Sequence, residues 1–234
     1  MTLRDHFRPP LSLQRHWHAF HNAWATYLAA DLNQRLPEGY FAEANVQFGI
    51  EIDVAAFEEP RPGPAAVATD WTAPAPTQTV PISVITDVVE VLVFGREAGP
   101  TLAAAIEFVS PANKDRPGHR EAFVSKCAAY LQQGIGLVVV DVVTDRRANL
   151  HDELLARLRA PEEPSVTAEL YCDAYRPVER EGQPRLDIWR ELLAVGQALA
   201  TMPLWLRGGV CIPVNLEATY QRTCREQRIP PDEK

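Results

Sequence analysis

In the stretch TLAAAIEFVS, Glu107 interrupts an apolar run that reads as a strand, and Lys126 stands beside the apolar face of the helix that follows. Carboxylates are rarely fully buried unless paired or metal-bound, because desolvation costs several kcal/mol. Glu107 is therefore either compensated or used. Glu51 and Asp53 in EIDVAAF share the second face of another strand-like run and offer further carboxylates. Two carboxylates from adjacent strands can share a hard cation, and magnesium takes only one or two protein carboxylates while keeping several waters. Such an ion stabilises charge on a phosphate oxygen and makes a bound water a better nucleophile. A lysine nearby adds positive charge at a pentavalent transition state and helps orient the attacking water.

Taken singly, these residues have ordinary alternatives: Lys126 as a snorkelling surface lysine, Asp53 as an exposed strand residue. Glu107 is harder to assign to solvent, since a central apolar strand has little reason to carry a charge. Asn113 and Lys114 follow Pro111, where the chain leaves the Glu107 strand as a loop, so they are candidates for substrate contact as well as for turn formation. Asp141 ends a buried strand and can accept backbone hydrogen bonds there. Of His16, His18 and His21, only the last two have the i, i+3 spacing of a shared ligand, and an ordinary helix with partly buried imidazoles is the preferred reading. There is no GxGxxG, Walker loop or nucleophile elbow, so nothing supports dinucleotide, ATP or serine-hydrolase chemistry.

The elements that must position these groups follow from periodicity. Leu13, Trp17, Phe20, Trp24, Leu28, Leu32 and Leu36 recur at helical spacing, and Pro37 and Gly39 end the stripe. In ANVQFGIEIDVAAF, Val46, Phe48, Ile50, Ile52 and Val54 alternate with Gln47, Glu51 and Asp53, which predicts a strand or hairpin with acids on its second face. Residues 58–81, crowded with Pro and Ala, read as an irregular excursion. Beyond them SVITDVVEVLVFG and TLAAAIEFVS predict two strands. A helix then opens at Pro117 and closes near Gly134, and LVVVDVV predicts a strand buried on both faces with a parallel neighbour. The remainder predicts a helix over 146–159, a strand at VTAELYCDAY, a helix over 186–200 and a final helix in the tail. The sum is an α/β (α+β) fold, a mixed central sheet flanked by helices.

A chain of 234 residues, 46% hydrophobic, has material for one sizeable core. A net charge of -8 argues against a sequence-independent nucleic-acid coat, although a local basic strip remains compatible with it. No apolar run is long enough for a membrane span and the N-terminus lacks the core of a secretory signal, so a cytoplasmic protein is expected. Cys127, Cys172, Cys211 and Cys224 are widely spaced, without a CxxC pair, and read as reduced, partly buried thiols.

The pieces EIDVAAF, AIEFVSPANK, REAFVSKCAAYLQQGIGLVVVD and NLEATYQRTCREQR, with HAFHN and LPEGYFAE before them, resemble the family called domain of unknown function 4058. That family is close to the endonuclease-like domain-of-unknown-function 820 group, and both are similar in fold to the PD-(D/E)XK nuclease superfamily. The resemblance implies a restriction-endonuclease-like core over residues 1–234, with the insertion at 58–81 and a C-terminal extension at 165–234. It implies catalytic Asp53, Glu107 and Lys126, magnesium held by Asp53 and Glu107, and Asn113 and Lys114 as substrate-binding residues. Glu43 would be a weak match to the superfamily's early acid. The partners it implies are DNA or RNA at a local site, and a second copy of the chain is also compatible. Three departures bear on activity: Ile52 stands in place of the motif's proline, Val109 in place of its strand lysine, and a long insertion separates Asp53 from Glu107. The competing expectation is a nuclease-fold protein that binds or scaffolds without cleaving.

Overall fold

The computed structural model describes residues 2–48, 50–58, 71–82, 101–160 and 169–230. The strand expected over 83–95 lies outside them, as does half of the Pro/Ala-rich insertion, residues 59–70. In chain order the elements are α1 (Leu11–Gln14), α2 (Trp17–Leu32), β1 (Tyr40–Phe48), β2 (Ile50–Glu58), β3 (Gln78–Pro81) and β4 (Thr101–Phe108). There follow α3 (Pro111–Asp115), α4 (Pro117–Gln132), β5 (Gly136–Asp141), α5 (Leu150–Arg157), β6 (Tyr171–Arg180) and β7 (Gln183–Leu192). The chain ends on β8 (Thr201–Trp205), β9 (Cys211–Asn215) and α6 (Leu216–Glu226).

Among the described residues, seven strands form one sheet in the order β1-β2-β4-β5-β6-β7-β3, and β8 and β9 form a separate hairpin. Among the described strands only β4 and β5 run parallel, joined over one face by α4, as a parallel pair requires. Two apolar layers enclose the sheet. On one face Phe20, Trp24, Leu28 and Leu32 of α2 pack with Tyr220 of α6, the β8–β9 hairpin and Ile106, Val138 and Val140. On the other, Phe123, Cys127, Tyr130 and Leu131 of α4 pack with Leu150 and Leu154 of α5 over Ala105, Leu137 and Val139. Each fully buried Leu or Phe contributes about 1.5–3 kcal/mol, and these two layers anchor the strands that carry the polar groups.

The local signals account for much of this. Pro117 occupies the first turn of α4, where its missing N–H costs nothing, and Gly134, at φ 75°, supplies the left-handed exit. β5 is buried at every position, matching its continuous apolar sequence. The 45–54 alternation becomes a hairpin, with β1 and β2 antiparallel.

Three expectations are corrected. The first helix begins at Trp17, and Leu13 is 80% exposed on the short α1 instead of joining the stripe. The end of the 58–81 insertion is not irregular: β3 pairs with β7 and closes the sheet. Residues 186–192 are strand, not helix, because Leu186 and Ile188 face one layer and Trp189 the other. The β6–β7 turn, with Glu181 at φ 54° and Gly182 at φ 69°, fixes that pairing, since two successive positive φ values suit a two-residue hairpin loop. Within 165–234, β6 and β7 add to the central sheet and α6 packs on α2.

At Gly136 a Cβ would overlap the Trp205 carbonyl oxygen of β8, which crosses close above the start of β5. Gly136→Ala is therefore expected to destabilise by about 1–3 kcal/mol through overpacking, measurable as a lower denaturation midpoint with unchanged slope.

Candidate functional site

Asp53 and Glu107 come together. The β2–β4 register pairs Val54 with Ile106 and Ala55 with Ala105, and continuing it by one residue sets Asp53 opposite Glu107 on the pleat face shared with Ala55 and Ala105. The negative charge of Asp53 bears directly on Glu107. Asp53 Oδ2 also accepts the Phe108 backbone N–H at 2.7 Å, which ties the head of β2 to the end of β4.

Glu107 is 1% exposed. Lys126 of α4 donates to its Oε2 at 2.7 Å, and the Tyr130 hydroxyl, one turn further along, reaches its Oε1 at 3.3 Å. The Lys126-x3-Tyr130 spacing thus puts an ammonium and a phenol on one helix face, both aimed at the same carboxyl group. Burial raises the Glu107 pKa to about 8, with Asp53 adding to the rise and Lys126 opposing it. Burial works against the Lys126 ammonium, but the Glu107 carboxylate beside it wins and holds the amine above its ordinary value. Near neutral pH the Glu107 carboxyl therefore holds its proton and Lys126 its positive charge.

Sequence reasoning did not place His21 here. Its Nε2 lies 2.8 Å from Asp53 Oδ1, yet off the line of a hydrogen bond, so among the described residues that buried nitrogen has no hydrogen-bond partner. Trp17, one turn before it, stacks on the ring at 5.9 Å and holds its plane. The spacing of His21 on the border of the α2 stripe was the available signal. His18 is exposed and Glu43 lies on the exposed side of β1, so neither joins the site. The site approaches solvent through Lys126, His21 and Asp53, whose side chains are 18%, 13% and 11% exposed.

Asn113 and Lys114 are corrected. They lie on α3, not in a loop: Asn113 closes a capping box with Ser110, accepting the Ser110 N–H at 2.9 Å. Lys114 turns inward, 4% exposed, and donates to Asp141 Oδ2 at 2.8 Å. Asp141, expected to accept backbone hydrogen bonds, accepts one from Val143 N–H at 3.1 Å and carries this ion pair besides.

A second buried polar group was missed on the same face. Asp173 sits opposite Val139, itself opposite Glu107, and takes both arms of Arg190 at 3.0 Å each. His151 Nδ1 lies 2.7 Å from the Tyr175 hydroxyl and 2.9 Å from Asp173. An aspartate inside the apolar run YCDAY was the same kind of signal as Glu107.

The donors at Asp53 and Glu107 are all oxygen, as magnesium requires, and two carboxylates are enough for an ion that keeps its waters. Among the described residues no group of three or more His, Cys, Asp or Glu converges to hold a metal, so any ion here would rest on these two carboxylates and water. No described helix is long and apolar enough to cross a membrane. Compared with known proteins, the chain matches no family model, no curated protein and no solved structure.

Proposed function

We propose that the chain is a magnesium-dependent phosphodiesterase of nuclease type, acting on DNA or RNA, with Asp53 and Glu107 as metal-holding residues and Lys126 as the assisting cation. One observation carries this reading: two carboxylates from adjacent strands face each other on one side of the sheet with a lysine 2.7 Å from one of them. The unit β1–β2–β4–α4–β5, three antiparallel strands and a helical crossover to a parallel fourth, supports reading it as a restriction-endonuclease-like core. When bound, magnesium would polarise a phosphate oxygen and acidify water. Asp53, held by the Phe108 amide, orients one set of oxygens. Glu107 would hold such an ion as its carboxylate, and Lys126 would keep a positive charge where phosphate charge develops.

A second reading, binding without cleavage, is favoured by the full burial of Glu107 and the engagement of both its oxygens. The two separate by calorimetry and melting with magnesium. Under the first, the parent binds magnesium and gains about 2.7 kcal/mol at a hundredfold excess over Kd. Asp53→Asn and Glu107→Gln lose that gain and reduce hydrolysis of a mixed-sequence oligonucleotide at least ~10³-fold, about 4 kcal/mol of barrier. Lys126→Met costs about 10²-fold with magnesium binding kept. Absence of magnesium binding by the parent would leave only the second reading.

A further inference from the structure

At the opposite end of β5 from Glu107 and Asp141, a cavity of about 390 Å³ opens between the β6–β7 and β8–β9 hairpins, walled by Arg176, Glu179, Arg180, Trp205, Gly208 and Gly209. That volume lies in the range of small-molecule sites. Its charges are unevenly matched. Arg180 donates to Asp187 at 2.6 Å, and the Thr79 hydroxyl donates to the same carboxylate at 2.6 Å. Arg176 stands opposite Asp187 in the β6–β7 register, yet among the described residues its guanidinium makes no ion pair and no hydrogen bond. It lies instead over the Trp205 ring, 3.6 Å from the centroid, while Trp189 stacks against that ring at 5.8 Å.

A guanidinium stacked on an indole is fixed in orientation and keeps its in-plane N–H donors free. Trp205 Nε1 is buried and, among the described residues, has no hydrogen-bond partner. Gly208 and Gly209, at φ 92° and 96°, carry the chain past Arg176 without side chains, and even a Cβ at Gly209 would lie 3.6 Å from Nη2. Burial lowers the Arg176 pKa and Asp187 only partly offsets this, as expected of a cation lacking its counter-ion.

We infer that this cavity binds a small molecule through one oxyanion group, phosphate or carboxylate, seated on the Arg176 fork. The planar fork matches either group in bidentate fashion. Glu179 in the same wall repels a polyanion and can accept from a hydroxyl or amine on the ligand's other end, which favours a small molecule over a nucleic-acid strand. Nothing in this depends on the Asp53–Glu107 site, which sits on β2 and β4 with Glu107 opposite Val139 of β5.

The test is a pair of NMR titrations of the full chain, with inorganic phosphate and with acetate, at ionic strength held constant by sodium chloride. A saturable shift of the Arg176 Nε–H and Trp205 indole N–H resonances, with a Kd on the order of 1 mM or tighter, is expected for at least one anion, and the anion that saturates identifies the group. Arg176→Lys should weaken it about tenfold or more, because charge remains but the fork is lost, and Arg176→Met should abolish it while other resonances keep their positions. Absence of saturation with both anions, or saturation that survives Arg176→Met, overturns the assignment.

Discussion

Asp173→Ala is expected to destabilise the protein by about 3–5 kcal/mol, a fall in melting temperature of about 6–20 °C. Asp173 has no exposed surface, and its two oxygens accept from both arms of Arg190 at 3.0 Å each, from the Tyr175 hydroxyl at 3.2 Å, and face His151 at 2.9 Å. Burial alone would raise its pKa, but the hydrogen bonds and charges of His151 and Arg190 outweigh it and hold the carboxyl below its ordinary value. A depressed folded pKa means that this contribution is present above the unfolded value and fades as pH falls through the folded one. Alanine removes the acceptor and leaves Arg190, whose side chain is only 18% exposed, beside a void. Asp173→Asn keeps the shape and one acceptor, so its cost should be smaller. Chemical denaturation of the three proteins checks this, and an alanine loss below about 1 kcal/mol would show that the network does not anchor β6 to β7 and α5.

Lys114→Met should show a cost that depends on pH, small near pH 4 and about 3–5 kcal/mol near pH 8. The Lys114 and Asp141 side chains are 1% and 0% exposed. Burial raises the Asp141 pKa to about 6, and Lys114 is the largest influence opposing the rise. With the folded pKa above the unfolded one, stability is fully present below the unfolded value and declines as pH climbs through the folded value. Without Lys114 the pKa moves further up and the decline extends to higher pH. At low pH the carboxyl is neutral and methionine fills the lysine stem's place at little cost. His6, whose pKa burial lowers to about 4, is common to both proteins, so the difference between their unfolding free energies isolates Asp141. A gap between variant and parent that stays flat from pH 4 to 8 would mean that the pair contributes packing and no charge.

Both networks show how far the residue string is readable. Glu107 betrayed itself because a charge in AAAIEFV conflicts with its neighbours, and the conflict is local. The α4–β5 unit was legible for the same reason: Pro117, the 3.6-residue stripe, Gly134 and the apolar run 137–140 all act within a few residues of one another. The hairpin over 45–54 followed from its alternation. For Glu107 and the α4–β5 unit a short-range preference and the final environment agree.

Tertiary structure decided what depends on partners far along the chain. Residues 186–192 carry apolar groups compatible with helical spacing, and they become strand because β6 on one edge and β3 on the other satisfy their backbone groups and because both faces of the sheet are covered. Lys114 read as a loop cation, but the head of β5 brings Asp141 within 2.8 Å and makes its burial tolerable. The placement of Asp53 opposite Glu107 rests on a β2–β4 register spanning more than fifty residues of sequence, and His21 reaches the pair from α2. Periodicity and composition fixed which segments bury apolar surface, since that free energy accrues residue by residue; which charges meet is a property of pairs, and only the packed sheet sets those distances.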